Sequence, residues 1–279
     1  MSKKIVITGG LGYIGTELCK IYSGESWRNQ ITVIDNRFAS ERVNQLRNWS
    51  INFVHADIRD SKNVKHFLKE ADIIHHLAGI TDVARTKEES NFEKDKELND
   101  VAEKGTSVVL YESSENCKII FPSTHVIFEG KRDIEKDIEE DCEKFPVLSY
   151  GIGKDKNEEQ IKESKKNYVI LRLASVYGYS TDAMRLNIMP NLFSKISSQN
   201  GTIKLFAGGK QLKCLVPLVD AARCFKFMEE RDDIKFQTFN LSKDKVKVEQ
   251  VANICKKVNS KVKIVKTEDK IPNSGYALS

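Results

Sequence analysis

The 279-residue sequence predicts an α/β fold, a doubly wound parallel sheet with a smaller C-terminal lobe. Three observations predict it. Short Ile- and Val-rich runs alternate with longer amphipathic ones through the first two-thirds of the chain. A glycine-rich turn separates the first apolar run from the first helical one. The last third changes character, with shorter and less regular runs.

The strand candidates, in order, are Lys4–Thr8, Ile31–Asp35, Asn52–His55, Asp72–His76, Lys118–Pro122 and Tyr168–Leu173. Each is short and apolar and ends in a turn signal, as a strand buried on both faces requires. Helical periodicity fills the gaps at Gly12–Tyr22, Ser61–Lys69, Phe92–Ser114 and Tyr150–Ser164. Right-handed crossovers between such units wind helices onto both faces of one sheet. Further on, Met189–Ser198 predicts a helix and Ile203–Phe206 a strand. A strand at Leu215–Leu218 leads into a helix at Val219–Glu230. Strands at Phe236–Leu241 and Val262–Val265 flank a helix at Val248–Val258. Residues 1–173, with a contribution from about 213–241, are read as the main domain, and 174–279 mostly as the small lobe. The charged stretch Ile134–Lys144 is read as a solvated surface loop.

Composition narrows the function classes. Hydrophobic residues at 40% supply a core, and charged residues at 30% supply a soluble surface. The net charge of +5 is spread along the chain without a basic block, so no nucleic-acid partner is expected. No apolar run approaches the ~20 residues of a membrane span. Met-Ser-Lys-Lys leads straight into a strand, so neither a membrane segment nor a leader is expected. Cysteines 19, 117, 142, 214, 224 and 255 form no CxxC pair and have no His at metal-ligand spacing. Reduced thiols in a cytoplasmic protein without a metal are expected.

The segment Ile5-Val6-Ile7-Thr8-Gly9-Gly10-Leu11-Gly12-Tyr13-Ile14-Gly15 is a strand, a glycine turn and a helix start. Glycines allow a sharp turn and close approach to a pyrophosphate. The helix N-terminus offers free N–H groups and the positive end of its dipole. Asp35, followed by Asn36, ends the next strand 20 residues after Gly15 and is placed to accept from an adenosine ribose. Its charge disfavours a 2′-phosphate, which favours NAD over NADP. Arg37, two residues on, carries less weight.

These features resemble the extended short-chain dehydrogenase/reductases, in particular the NAD-dependent epimerase/dehydratase family. The match begins with Thr-Gly-Gly-x-Gly-x-x-Gly at Thr8–Gly15. Asp57-Ile58 resembles the family's adenine-contacting pair, and Leu77-Ala78-Gly79 its turn beside the cofactor. Ser123-Thr124-His125-Val126-Ile127-Phe128 resembles its Ser-Ser/Thr-x-x-Val-Tyr/Phe segment. Tyr150-Gly151-Ile152-Gly153-Lys154 carries Tyr-x-x-x-Lys, and Leu171–Gly178 resembles its strand exit. The resemblance implies a Rossmann-type fold that binds NAD through Gly9, Gly12, Tyr13, Ile14, Gly15, Asp35, Asn36, Asp57, Ile58, Leu77, Ala78, Gly79, Tyr150 and Lys154. It also implies catalysis by Thr124, Tyr150 and Lys154, and a homodimer built on the helices near Phe92–Ser114 and Tyr150–Ser164.

The residues give the same chemistry a physical basis. Tyr150 and Lys154 are four apart and share one helix face. A phenol of ordinary pKa about 10 is too weak a base at neutral pH, and a neighbouring ammonium favours the phenolate. Thr124 then orients the same substrate hydroxyl. His55, His75, His76 and His125 are read as structural.

Family members oxidise a sugar hydroxyl, usually at C4, and differ in the fate of the resulting ketone. Dehydratases carry an Asp-Glu pair after the Ser/Thr, where this chain has His125-Val126. Asp35 and the Tyr13-Ile14 turn resemble the epimerases, so epimerisation of a nucleotide-activated sugar is expected. A 4-ketoreductase or 4-dehydrogenase is the alternative, since Ser123–Gly130 also resembles the deoxysugar 4-ketoreductases. A non-catalytic NAD-binding regulator is the reading from another class. Substrate contacts are expected from Thr124, Ser175, Arg185, Asn187 and Lys213. Ser175 stands where the family carries Asn, Ala102 where Asn is usual, and Lys213 near a usual Arg. These departures bear on the substrate rather than on the fold.

Overall fold

The computed structural model describes residues 2–25, 28–81, 89–131, 135–181, 183–268 and 275–279. Seven strands form one parallel sheet: β1 (Lys4–Thr8), β2 (Gln30–Asp35), β3 (Asn52–His55), β4 (Ile73–His76), β5 (Lys118–Thr124), β7 (Tyr168–Leu173) and β11 (Gln237–Leu241). Their order is β11-β7-β5-β4-β1-β2-β3. The chain runs from β1 outward through β2 and β3, then returns to β4 on the other side of β1. The crevice at the C-terminal ends of β1 and β4 is therefore the topological switch point, where such sheets bind ligands. The doubly wound parallel sheet expected from the sequence is present.

Alternation along each strand divides the core in two. Ile5, Ile7, Val33, Ile73, Ile120 and Val169 face one way and pack with Leu18, Tyr22, Ala221 and Phe225. These last lie on α1 (Tyr13–Tyr22) and α7 (Leu218–Glu230). Val6, Ile34, Ile74 and Ile119 face the other way, against Val64, Leu68 and Val109 of α3 (Ser61–Glu70) and α4 (Phe92–Glu112). Helix α5 (Ser149–Glu163) lies beside α4 and buries Ile161 against Phe121, Tyr168 and Ile170.

A separate small core holds the lobe. Phe193 of α6 (Met189–Ser198) packs with Ile203 and Leu205 of β9 (Thr202–Leu205) and Ala252 of α8 (Val248–Val258). Strand β13 (Lys263–Lys266) pairs with β9 in parallel. Strand β10 (Leu212–Pro217) lies between β8 (Ser175–Tyr177) and β12 (Asp244–Lys247). Helix α7 then returns to the first face, and β11 closes the large sheet beyond β7.

Elements α2 (Ser40–Asn48), β8, β12 and β14 (Tyr276–Leu278) were not expected from the sequence. The stretch read as a solvated loop is corrected. Within it, Glu135–Ile138 forms β6, which pairs in parallel with β14, and Ile138 is buried. The main-chain carbonyl of Glu140 also accepts from Arg172 Nη1 at 2.6 Å. Ile134 lies outside the described residues. Charge in the preceding residues hid the buried side chain of Ile138.

Candidate active site

A cleft of about 1860 Å³ opens at the switch point between the sheet and the lobe. All the residues expected to bind cofactor or substrate line it: Gly9, Gly12, Tyr13, Ile14, Gly15, Asp35, Asn36, Asp57, Ile58, Leu77, Ala78, Gly79, Thr124, Tyr150, Lys154, Ser175, Arg185, Asn187 and Lys213.

The glycine turn is built by exclusion. Gly9 has φ +69°, and a Cβ there would lie 2.8 Å from the Ala78 backbone leaving β4. A Cβ on Gly15 would come within 2.6 Å of the Gly9 carbonyl, so helix and strand meet without side chains between them. Gly12 caps α1 with no side-chain hydrogen bond, and the first turn of α1 faces the cleft. Asp35 is buried and fixes the turn, accepting from Leu11 N at 2.9 Å and from Arg37 N at 3.0 Å. Asp57 is held by Arg59, whose Nε and Nη2 donate to its two carboxylate oxygens at 3.0 and 2.8 Å. The Arg59 hydrogen bonds hold the Asp57 carboxyl below the usual range against its partial burial.

At the other end, β5 delivers Thr124 and α5 delivers Tyr150 and Lys154. The Tyr150 phenol and the Thr124 hydroxyl line the cleft together, and Thr124 partly offsets the upward push of burial on the phenol. Thr124 Oγ1 also accepts from Val126 N at 3.2 Å, which starts a short 3₁₀ turn and fixes the hydroxyl. Lys154 Nζ donates to the Pro122 carbonyl at 2.7 Å and lies 4.3 Å from the centroid of the Phe121 ring. Burial pushes Tyr150 above its ordinary value and pushes Lys154 down to about 7. The folded chain therefore sheds the Lys154 proton near pH 7, and the unfolded chain near 10.4. The unfolded state binds more protons between these values, so this group makes stability rise with pH across that window. Urea unfolding at pH 7 and pH 9 is expected to show a larger gain for the wild type than for Lys154→Met. Equal gains would show that the charge of Lys154 is not penalised by folding.

Several side chains near the cleft act as supports. His125 is buried between Tyr276 Oη (3.0 Å) and Ser175 Oγ (3.2 Å), and burial lowers it to about 3. It is neutral at working pH and does not replace the missing Asp-Glu pair. His76 bridges Thr8 and Thr106 and is likewise lowered by burial to about 3. Ser175 is engaged by His125. Burial lowers Lys213, against the pull of the Glu129 charge.

Sequence reasoning missed Asn191, Glu129 and Phe206. Asn191 Nδ2 donates to the Arg185 carbonyl at 2.8 Å and to Tyr13 Oη at 3.2 Å, while its Oδ1 accepts from Gly178 N at 3.0 Å. Glu129 Oε1 accepts from Val147 N and Leu148 N, which fixes the segment leading into Tyr150. Phe206 is half exposed and lines the cleft from the lobe. Glu129 fills a variable position of the Ser123–Gly130 segment, and Asn191 and Phe206 stand in no motif. Gly130 after Glu129, Pro190 before Asn191 and Gly208-Gly209 after Phe206 are local turn signals beside them.

A model described as the NAD dependent epimerase/dehydratase family matches residues 5–242. The chain is similar to UDP-N-acetyl-alpha-D-glucosaminuronate decarboxylase of Bacillus cytotoxicus, at 24% identity over 95% of this chain and 83% of that one. It is similar to UDP-glucose 4-epimerase of Mycoplasma genitalium, at 23% identity over 85% and 76%. Its fold is similar to that of UDP-glucuronic acid 4-epimerase from Bacillus cereus, solved in complex with UDP-glucuronic acid and NAD. That likeness has a TM-score of 0.83 at 20% identity, over 99% of this chain and 90% of that chain. The UDP-glucose 4-epimerase of Thermotoga maritima, solved with UDP-glucose, gives a TM-score of 0.82 at 20% identity, over 98% and 88%.

Proposed function

The chain belongs to the NAD dependent epimerase/dehydratase family, and from that premise we propose that it epimerises a nucleotide-activated sugar at C4 through a 4-keto intermediate. The observation that carries this reading is one cleft lined both by a phosphate-cradling glycine turn and by Thr124, Tyr150 and Lys154.

The residues fit NAD. A Cβ on Gly12 would fill the hollow of the turn, lying 3.0 Å from the Gly9 carbonyl. That hollow and the N-terminus of α1 suit a pyrophosphate. Asp35 and Asn36 take the adenosine ribose, and Asp57 and Ile58 the adenine. Leu77, Ala78 and Gly79 line the middle of the site, with Lys154 and Tyr150 at the nicotinamide end. When bound, NAD accepts a hydride from the sugar carbon and gives it back. Thr124 orients the sugar hydroxyl, and Tyr150 takes its proton and later returns it. Asn187, Arg185 and Lys213 offer donors to the diphosphate, Lys213 as a point charge. Phe206 offers a ring face to the nucleobase.

Denaturing the purified protein and weighing the released small molecules tests the reading. Retained NAD, with a nucleotide sugar, is the expected result, because an epimerase regenerates its cofactor within each turnover. An empty protein, or one carrying NADP, would replace the reading with a ketoreductase or dehydrogenase that exchanges its cofactor. One observation favours that second reading. The Arg37 guanidinium sits beside Asp35 and 3.6 Å from where a Gly12 Cβ would lie, near a 2′-phosphate's place.

The assembly proposed is a homodimer through α4 and α5, where Phe92, Tyr111 and Ile152 are exposed. Light scattering at micromolar concentration is expected to give about twice 31.7 kDa. A monomer mass would remove the dimer without touching the chemistry. The cytoplasm is the proposed compartment, given six free cysteines, three of them buried. Among the described residues no helix is long and apolar enough to cross a membrane.

A further inference from the structure

A short polar chain lines the cleft, and neither the hydride nor the proton step uses it. Tyr276 Oη lies 3.0 Å from His125 Nδ1, and His125 Nε2 lies 3.2 Å from Ser175 Oγ. All three residues line the cleft. Tyr276 and His125 are buried, and Ser175 is half-buried. Each comes from a different part of the fold. Ser175 opens β8, His125 follows Thr124 at the end of β5, and Tyr276 opens β14.

The last strand is built to hold its tyrosine there. Tyr276 and Leu278 pair with Glu135 and Ile138 of β6, and Ser279 N donates to the Ile138 carbonyl at 2.9 Å. Gly275 bridges to Leu212 of β10 with φ +106°, and a Cβ there would collide with the Leu212 backbone. Ala277 and Leu278 are buried in the main core.

The hydrogen bonds of this chain run in one direction. A neutral imidazole has one donor nitrogen and one acceptor nitrogen. His125 is neutral, because burial lowers it to about 3. Burial raises the Tyr276 phenol well above its ordinary value, so it keeps its proton. Among the described residues, His125 Nδ1 is the acceptor that this proton meets. If Nδ1 carried the imidazole proton, the Tyr276 O–H would be a buried donor without an acceptor, a costly state. Nδ1 therefore accepts, Nε2 carries the proton, and Nε2–H donates to Ser175 Oγ. The Ser175 proton is turned away from His125. Ser175 stands on the cleft wall, where a ligand can accept that proton.

We propose that Tyr276 is a positioning residue that acts through His125: the chain of hydrogen bonds from its phenol holds the Ser175 hydroxyl as a one-way donor to an acceptor oxygen of the bound sugar. The proposal rests on the nucleotide-sugar reading for its occupant. Thr124 orients the sugar hydroxyl in that reading and is joined to His125, which puts Ser175 at the sugar rather than at the nucleotide. A sugar with an acceptor oxygen at that point gains a hydrogen bond, and one without it leaves the Ser175 donor unpaired.

The test reads the imidazole first, without ligand. Long-range proton–nitrogen NMR of protein carrying nitrogen-15 histidine, with His125 assigned from a His125→Gln spectrum, is expected to show the Nε2–H form in the wild type. In Tyr276→Phe the Nδ1–H form is expected to appear. Isothermal titration with UDP-glucose and with UDP follows. Ser175→Ala and Tyr276→Phe are each expected to weaken UDP-glucose binding about tenfold and to leave UDP binding unchanged. Both act through one hydroxyl, so the double variant is expected to lose no more than Ser175→Ala alone. An Nδ1–H form in the wild type overturns the proposal, and so do losses that multiply in the double variant. Both results leave the nucleotide-sugar reading standing. A wild type that binds neither probe overturns that reading and the proposal with it. If Tyr276→Phe fails to fold, an Nδ1–H form in the wild type, or UDP-glucose binding unchanged in Ser175→Ala, overturns the proposal alone.

Discussion

Replacing Tyr150 with phenylalanine is expected to lower kcat by about 10³-fold while leaving NAD retention and thermal stability unchanged. The substitution removes one oxygen. The ring keeps its place in the first turn of α5, and Lys154 keeps its bond to Pro122. What is lost is the acceptor for the sugar hydroxyl proton, which Thr124 orients but, as an ordinary alcohol, does not take. His125 does not substitute, because Tyr276 and Ser175 hold it as a buried neutral ring. Thr124→Val is expected to cost less, since it misplaces the hydroxyl without removing the base. Single-turnover kinetics with added nucleotide sugar measure both. A Tyr150→Phe protein retaining a tenth of wild-type turnover would show that the proton leaves by another route. A protein that lost NAD as well would show that the phenol serves binding rather than chemistry.

The parts of this site that were legible in the sequence are those fixed by short-range chemistry. Gly9, Gly12 and Gly15 announce a turn because a Cβ has no room there, and that constraint is local. Tyr150 and Lys154 meet because four residues make about one helical turn. Core strands such as β5 and β7 were readable because a central parallel strand is buried on both faces and carries a continuous apolar run, here Ile119–Pro122 and Tyr168–Leu171. What escaped depends on distant partners. Strand β14 has three residues and pairs with β6 from the far end of the chain. Helix α2 buries only Val43 and Leu46, so its period barely shows. Asn191 matters because two backbone groups and the Tyr13 hydroxyl, from three separate segments, converge on its amide, and no local pattern encodes that convergence.

The second large effect lies beneath the site. Removing either partner of the Glu158–Arg172 pair is expected to destabilise the fold by about 3–5 kcal/mol. Arg172 Nε and Nη2 donate to the two carboxylate oxygens at 3.0 and 2.8 Å, and both side chains are buried. Ser123 Oγ donates to the same carboxylate at 2.5 Å, and Arg172 Nη1 to the Glu140 carbonyl at 2.6 Å. Burial alone would raise the Glu158 carboxyl, but the Arg172 hydrogen bonds and charge outweigh it and hold it below the usual range. Its contribution is therefore present above the unfolded value near 4.3 and lost as pH falls below it. Arg172→Met strands a carboxylate in the core, whereas Glu158→Leu with Arg172→Met strands nothing. The double variant is thus expected to recover part of the loss in urea unfolding at pH 7, and to unfold less steeply with acid. Activity should fall in parallel, because Ser123 precedes Thr124 and Glu158 lies one turn beyond Lys154 on α5. Single variants costing less than about 1 kcal/mol would mean that water reaches the pair, and the site would then need another floor.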